Sequence, residues 1–223
     1  KTDFWSDYLF CPTDFAASHA PSFGKKVFVT GNTSIDALKE ILPASRKSKL
    51  VLPKSPFVFA NLHRQENIKS KERLSNFVEI ITSTPHKVLF VLAPNTKKRL
   101  EQLGLLDKVL SSKNLVIKET LSYPDFIHAY ENCACMLTDG GGMTEESNYL
   151  KIPCIVYRKS SERQEAEECG TAFRSLDVKE ILSLIEKSAA DKKFIARVKK
   201  ARCPYGDGSA GKKIVDVLEK MVI

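Results

Sequence analysis

Two short stretches carry the residues best suited to chemistry, and the first is "NLHRQEN" at 61–67. His63 and Arg64 follow an apolar run here, and Glu66 is close enough in sequence to orient either of them. A histidine can pass protons or donate to a phosphate at neutral pH, and an arginine holds phosphate oxygens with a rigid fork of donors. The stretch predicts a catalytic His63 and a possible ligand contact at Arg64. The open alternative is a histidine that only bonds a neighbouring carbonyl.

The second stretch is "LTDGGGMTEES" at 137–147, where an acid and three glycines precede a helix expected to begin near Met143. Glycines let a phosphate approach the backbone, and a helix start offers free amides and a positive dipole end to an anion. We therefore predict that Gly140, Gly141 and Gly142 hold a phosphate. The alternative is a tight turn that only needs close packing.

Carboxylates and arginines follow in the same region of the chain. Glu145 and Glu146 are expected in the first turn of that helix. Glu146 is placed to accept both hydroxyls of a ribose whose phosphates rest on the helix start, and the alternative is a charge that only favours the helix dipole. Arg158 and Arg163 follow the next strand on the ligand side. We expect one of these two arginines to be only a surface charge.

Short apolar runs that alternate with amphipathic stretches must position these side chains. Strands are predicted at 56–63, 87–93, 114–119, 134–139 and 153–158, and helices at 71–83, 96–106, 123–133 and 143–150. Apolar strands separated by helices predict an α/β fold with a Rossmann-like parallel sheet flanked by helices. The carboxyl ends of such strands face a ligand crevice, where both stretches would lie.

The two ends of the chain do not continue this alternation. Residues 1–42 predict a strand, a short helix and a second strand, which we interpret as the tail of a preceding domain. Residues 43–56, rich in proline and basic side chains, are interpreted as a linker, and residues 57–203 as the nucleotide-binding domain. The first residue is Lys1, so we expect the start of the protein to be missing. Residues 204–223 predict a turn and a helix with one apolar stripe: Ile214, Val215, Leu218 and Val222.

The composition favours a globular protein of the cytoplasm. The net charge is +8, but the lysines are scattered and no aromatic side chains interleave with them as a nucleic-acid surface needs. No apolar run approaches the roughly 18 residues that span a bilayer, and no signal peptide is recognisable. The six cysteines show no zinc-binding spacing and are predicted to be buried free thiols. We therefore expect no nucleic-acid partner, no membrane and no metal.

Several motifs resemble, in order, those of the UDP-N-acetylglucosamine 2-epimerase family: "VFVTGNTSIDAL", "HRQEN", "LTDGGGMTEES", "ERQEAEECGT" and "PYGDGSA". They cover essentially the whole chain and only the later part of the family's length. The resemblance implies two Rossmann-like domains that face each other across a cleft, as in the GT-B glycosyltransferases, with the nucleotide held mainly by the second. It also implies that the last helix crosses back to the first domain, so its stripe should be partly exposed or packed against residues 1–42.

The resemblance further implies roles for single residues. His63 would lie near the leaving diphosphate, and Arg64 and Arg158 are possible further contacts. The other implied contacts to a UDP-sugar are Phe126 to the uracil, Gly140, Gly141 and Gly142 to the diphosphate, Glu146 to the ribose and Arg163 to the phosphate region. This sequence departs from the family's pattern where Gly140 replaces a serine and Asn61 a threonine.

The family's reaction is elimination of UDP across C1 and C2 of the sugar, after a proton is taken from C2, and re-addition on the other face. A hydrolysing branch releases free N-acetylmannosamine and UDP. No metal or redox cofactor is implied, and the acid and base carboxylates belong to the first domain, so this chain alone is expected to bind without turnover. The alternatives are a stand-alone nucleotide-sugar binding module and a diverged GT-B glycosyltransferase. We also expect the full-length protein to be a homodimer that serves polysaccharide biosynthesis.

Overall fold

The computed structural model describes residues 5–21 and 24–222, except for the side chain of Val222. Parts of the predicted tail and of the predicted last helix therefore lie outside the described residues. The strands are β1 (Tyr8–Cys11), β2 (Lys26–Val29), β3 (Phe57–Asn61), β4 (Lys87–Val91), β5 (Leu115–Lys118), β6 (Cys135–Thr138), β7 (Cys154–Val156) and β8 (Ala172–Arg174). The helices are α1 (Asp14–Ser18), α2 (Thr33–Ser45), α3 (Gln65–Ile68), α4 (Lys71–Ser83), α5 (Pro94–Gln102), α6 (Leu106–Leu110), α7 (Tyr123–Asn132), α8 (Gly141–Leu150), α9 (Gln164–Glu168), α10 (Val178–Ala190), α11 (Lys192–Lys199) and α12 (Ala210–Val222).

A six-stranded parallel sheet forms the centre of the fold, in the order β5-β4-β3-β6-β7-β8. The chain moves outward from β3 to β5 on one side and from β6 to β8 on the other. The strand order therefore reverses between β3 and β6, and open α/β sheets bind ligands at the carboxyl ends of the strands beside such a reversal. The predicted Rossmann-like parallel sheet is confirmed.

Apolar side chains cover both faces of this sheet. All five residues of β3 are buried. Because successive side chains of a strand point to opposite faces, Val58 and Ala60 join one core, while Phe57 and Phe59 join the other. Burying each large apolar side chain stabilises the fold by about 1.5–3 kcal/mol. The first core is covered by the predicted stripe of α4, which is formed by Leu74, Phe77, Val78 and Ile81.

Two predicted helices differ in the structure, and the strand β8 is not predicted. The predicted helix 96–106 is two helices, α5 and α6, because Gly104 between them takes a left-handed φ of 67°. The helix expected near Met143 begins at Gly141 instead. The sequence does not predict β8, which has three residues of which only Ala172 is buried, because so short a strand gives no apolar run.

The N-terminal segment is joined to the main core through α2, a helix that the sequence analysis does not predict. Ile35 and Leu38 of α2 are both 0% exposed and pack in the same core as Phe59. The helix ends at Ser45, so the prediction of a linker from residue 43 is wrong for 43–45. The predicted strand, short helix and strand are present as β1, α1 and β2, and the two strands pair in parallel as a separate sheet. The division into domains stays a prediction.

The C-terminal segment is anchored by the turn before α12. Tyr205 is 1% exposed, and its carbonyl accepts a hydrogen bond from the Asn32 amide at 2.8 Å. The Asp36 carboxylate accepts from the first two amides of α12 at 3.0 and 2.6 Å, which satisfies donors that a helix start leaves free. Farther along, Val215 is 51% exposed and Leu218 40%. The expected partial exposure of the stripe is confirmed for these two residues.

Two truncations should separate the contribution of this turn from that of the helix. A chain ending at Gly211 keeps Tyr205 and both amides bound by Asp36, so we expect its melting temperature to stay within about 3 °C of the full chain's. A chain ending at Cys203 also loses Tyr205. Deleting a fully buried aromatic side chain costs about 3–5 kcal/mol, which for a domain of this size lowers the melting temperature by about 8 °C or more. Calorimetry measures both, and a large drop already in the longer chain would show that α12 belongs to the core.

Cys133, Cys135 and Cys154 are buried free thiols, as predicted, whereas the free thiols Cys169 and Cys203 are only half-buried. Burial raises the pKa of Cys135 to about 12 and that of Cys154 to about 11. Among the described residues, no group of three or more His, Cys, Asp and Glu side chains is arranged to hold a metal ion. None of the described helices has both the length and the apolar character needed to cross a membrane.

Candidate functional site

The loops after β3 and β6 meet where the strand order reverses, and Asp139 joins them. Asp139 is 0% exposed. Its carboxylate accepts hydrogen bonds from the backbone amides of His63 at 3.1 Å and Arg64 at 2.9 Å. The side-chain amide of Asn67 donates to the same carboxylate at 3.0 Å. Because hydrogen bonds to a charged group contribute about 1.5–3 kcal/mol each, Asp139 fixes the backbone that carries His63 and Arg64.

The imidazole of His63 is oriented through its Nδ1 atom. Nδ1 lies 2.9 Å from Oδ1 of Asn61 and 3.2 Å from Oδ1 of Asp139. Since both neighbours are acceptors, Nδ1 carries a proton and Nε2 is the nitrogen that can meet a ligand. The side chain is 49% exposed. The prediction that Glu66 orients His63 or Arg64 is wrong, because its carboxylate contacts Arg158 instead, at 3.4 Å.

The three glycines after β6 bring the start of α8 against the His63 loop. Gly140 is the N-cap and gives the helix no side-chain cap, so its first amides and its dipole can serve an anion. A Cβ on Gly140 would lie 3.3 Å from Cε1 of His63, and one on Gly141 would lie 3.0 Å from Oε1 of Glu162. A side chain at either position would require the neighbouring Met143, His63 or Glu162 side chain to shift, whereas a Cβ on Gly142 would meet nothing within 4 Å.

Glu146 places a buried carboxylate one turn into α8. It is 9% exposed and accepts a hydrogen bond from the Tyr123 hydroxyl at 2.8 Å. Burial raises the pKa of Glu146 to about 7, with the Tyr123 hydrogen bond opposing this shift and the charge of Glu145 adding to it. The carboxyl is therefore close to half ionised at neutral pH. The expectation that both glutamates lie in the first turn is wrong, because α8 begins two residues earlier than predicted.

Phe126 lies on α7, three residues after Tyr123, so the two side chains share one face of that helix. The Phe126 ring is partly buried and lies against Phe59 and Tyr130, with centroid distances of 4.9 and 4.5 Å. This aromatic cluster fixes the ring on the side of α7 where Tyr123 meets Glu146.

Arg163 is held by the other glutamate of α8. Its guanidinium forms an ion pair with Glu145, which also accepts from Asn32 Nδ2 at 2.7 Å and from Ser34 Oγ at 3.3 Å. Burial raises the pKa of Glu145, while the Arg163 charge and these hydrogen bonds oppose that shift. The network joins the start of α2 to α8 and to the loop after β7.

Arg64 and Arg158 share a single carboxylate, that of Glu162. Nη2 of Arg64 lies 3.3 Å from Oε1, and Nη1 of Arg158 lies 2.7 Å from Oε2. Arg158 is only 8% exposed. The expectation that one of Arg158 and Arg163 is only a surface charge is therefore wrong, since Arg158 pairs with Glu162 beside Gly141 and Arg163 pairs with the buried Glu145.

Sequence reasoning placed Asp139 at a strand exit but missed the contacts that hold this site together. The hydrogen bonds of Asp139 with His63 and Asn67 join residues that are 76 and 72 positions apart in the sequence. The contact between Arg64 and Glu162 joins residues 98 positions apart. No local pattern reports such pairs. Tyr123 is the exception. It lies one turn before Phe126 on a predicted helix, so the sequence indicates that the two side chains share one face.

Comparisons with known proteins point to one family. The family model described as UDP-N-acetylglucosamine 2-epimerase matches residues 1–219. The chain is 36% identical to the UDP-N-acetylglucosamine 2-epimerase of Methanocaldococcus jannaschii, over 97% of this chain and 62% of that protein. A crystal structure of the Methanocaldococcus jannaschii enzyme in complex with UDP-GlcNAc and UDP has a TM-score of 0.87 at 34% identity, covering 98% of this chain and 62% of that one. The Neisseria meningitidis UDP-GlcNAc 2-epimerase bound to UDP-GlcNAc has a TM-score of 0.84 at 27% identity, covering 98% and 63%. The chain thus spans less than two thirds of the length of these relatives.

Proposed function

The chain belongs to the UDP-N-acetylglucosamine 2-epimerase family, and from this premise we propose that it is the UDP-binding part of an enzyme that acts at C2 of UDP-N-acetylglucosamine. The product is UDP-N-acetylmannosamine, or free N-acetylmannosamine and UDP in the hydrolysing branch. The relatives named above support the substrate, since two of their structures hold UDP-GlcNAc.

The observation that supports this function best is the meeting of His63 with the start of α8 at the reversal of the strand order. We assign the diphosphate to Gly140, Gly141 and Gly142 and the ribose to Glu146. The uracil is assigned to Phe126, on the helix face that Tyr123 shares. Further contacts to phosphate are assigned to Arg64, Arg158 and Arg163.

These residues would act on the leaving group. Negative charge develops on the diphosphate as the bond from C1 to oxygen breaks, and preorganised donors aimed at that charge lower the barrier. The amides at the start of α8 and the nearby arginines are such donors. His63 presents Nε2 to the ligand and can donate from that atom once it carries a second proton, with Asp139 3.2 Å from Nδ1 on the other side. We assign the proton transfer at C2 to the part of the relatives' length that this chain does not cover.

Arg163 can join the diphosphate only if it gives up its pairing with Glu145. The carboxylate would then keep its hydrogen bonds from Asn32 and Ser34, at 2.7 and 3.3 Å. Because a buried charge without partners is costly, these two donors make the exchange possible. They come from the start of α2, so the N-terminal segment takes part in nucleotide binding.

The proposal extends to the cellular location, the oligomeric state and the pathway of the enzyme. The free cysteines are in keeping with a reducing compartment, and we place the protein in the cytoplasm. We also propose a homodimer for the full-length protein and a role in polysaccharide biosynthesis. A GT-B transferase would share the UDP site, but the names of the relatives favour epimerisation.

The decisive experiment pairs calorimetry with an epimerisation assay. We expect this chain to bind UDP with modest affinity and not to convert UDP-N-acetylglucosamine, because the carboxylates for C2 are assigned elsewhere. Measurable turnover by the chain alone would overturn that division of labour. Failure to bind UDP at millimolar concentration would overturn the assignment of the nucleotide site.

A further inference from the structure

Glu162 lies against the start of α8, in the place where an anion is expected. A Cβ on Gly141 would be 3.0 Å from Oε1 of Glu162 and 3.9 Å from Nη2 of Arg64. Gly141 is the first residue of the helix, where free amides and the dipole attract negative charge. The carboxylate therefore lies directly beside the helix start to which the proposed function assigns the diphosphate.

Both oxygens of Glu162 are engaged by arginines, as two phosphate oxygens would be. Oε1 lies 3.3 Å from Arg64 and Oε2 lies 2.7 Å from Arg158. Burial alone would raise the pKa of Glu162, but its own backbone amide and the two guanidiniums outweigh burial and hold that pKa below its ordinary value. The group is thus an anion at neutral pH.

The Glu162 side chain is also able to move away from the start of α8. Its side chain is 46% exposed and stands on the irregular segment between β7 and α9. Surface segments of this kind move without disturbing the core. A ligand that offers stronger bonds to Arg64 and Arg158 can therefore displace the carboxylate at small cost.

We propose that Glu162 is a specificity-determining residue, an internal anion that a ligand must displace from the start of α8. The inference rests on the proposed function. A phosphate-bearing ligand can replace both contacts of the carboxylate, whereas uridine, which has no phosphate, replaces neither. Glu162 therefore sets the site against ligands whose anionic group binds Arg64 and Arg158 too weakly to displace it. Because apparent affinity falls with the fraction of molecules whose site is open, it also weakens binding of every anion.

The test compares Glu162→Gln with Glu66→Gln by calorimetry. Both variants remove one negative partner of Arg158, but only Glu162 lies at Gly141. We expect Glu162→Gln to bind UDP and inorganic pyrophosphate about fivefold more tightly than the wild type. Uridine, which carries no phosphate and need not displace Glu162, should bind the variant and the wild type equally. Glu66→Gln should change each affinity by less than about twofold. If the glutamine variant does not fold, Glu162→Asp, which withdraws the charge by one methylene, should give a smaller shift in the same direction.

The ligands distinguish failure of this inference from failure of the proposed function. Tighter pyrophosphate binding by Glu162→Gln, with no UDP binding by any variant, would support Glu162 as the competing anion and overturn the nucleotide site. Unchanged or weaker binding of both ligands by Glu162→Gln, with UDP bound by the wild type, would overturn only the role of Glu162. An equal gain in Glu66→Gln would attribute the effect to net charge and overturn it as well. No binding of either ligand by any variant would overturn both.

Discussion

Replacing Asp139 with alanine is expected to lower the free energy of unfolding by about 3–5 kcal/mol, the usual cost of removing one partner from a buried charged network. The carboxylate is 0% exposed and binds two backbone amides and the Asn67 side chain. Without it the backbone amides of His63 and Arg64 lose this acceptor and the Asn67 amide keeps its bond to the Tyr157 carbonyl, so the loop that carries His63 and Arg64 loses its anchor. Urea unfolding should report the lower free energy of unfolding. Calorimetry should show a melting temperature lower by about 10 °C. UDP binding should be lost as well.

Two further variants test this explanation. Asp139→Asn keeps the volume and one acceptor but turns a donor toward other donors, so it should recover only part of the stability. Asp207→Ala removes an aspartate whose side chain is 76% exposed, and we expect it to leave the urea midpoint nearly unchanged. If Asp139→Ala were no more harmful than Asp207→Ala, other contacts would have to hold the His63 loop.

Replacing Glu146 with alanine is expected to weaken UDP binding about 10- to 150-fold, since a hydrogen bond to a charged group contributes about 1.5–3 kcal/mol. The carboxylate is assigned to the ribose, so inorganic pyrophosphate, which has none, should bind within about twofold of the wild-type affinity. Calorimetry with both ligands measures the contrast. Equal losses for UDP and pyrophosphate would mean that Glu146 only shapes the start of α8.

The same carboxylate should make UDP binding depend on pH. Its pKa of about 7 means that a proton occupies Glu146 below neutrality and that the better acceptor, the ionised form, is present above it. UDP affinity should therefore rise between about pH 6 and about pH 8. The terminal phosphate of UDP itself ionises at about pH 6. The pH dependence of UDP affinity in Glu146→Gln therefore measures the part of the change that comes from the ligand. Identical profiles for the two proteins would contradict this role.

Local patterns were sufficient for the elements with a strong apolar period. The helix predicted at 71–83 has the same bounds in the structure, because its buried stripe is regular and Ser70 caps its first turn. The helix α2 was missed because Pro43 and the basic residues after it indicate a linker. What makes α2 part of the fold is the burial of Ile35 and Leu38 against other elements, and such tertiary contacts override local preference.

The candidate site also contains residues that could be predicted from the sequence and contacts that could not. His63 and the glycines could be found because each follows an apolar strand, and the ends of parallel strands share one edge. Which charged side chains pair with each other could not be predicted from the sequence. The sequence places Glu66 beside His63 and Arg64, yet in the structure it contacts Arg158, and Asp139 takes the expected role. Long charged side chains select partners by distance in the folded protein, which the order of residues does not report.

The buried thiols of the sheet make its opening measurable. Cys135 lies on β6 and Cys154 on β7, on either side of the chain that forms α8. Thiolates are the form that attacks an alkylating reagent, and burial keeps these two thiols protonated as well as enclosed, so they should react only when the centre of the sheet opens. Cys169 and Cys203, being half-buried, would react first and serve as an internal reference. Since a ligand stabilises only the form that binds it, slower alkylation at β6 and β7 would report occupancy of the site on an unlabelled protein.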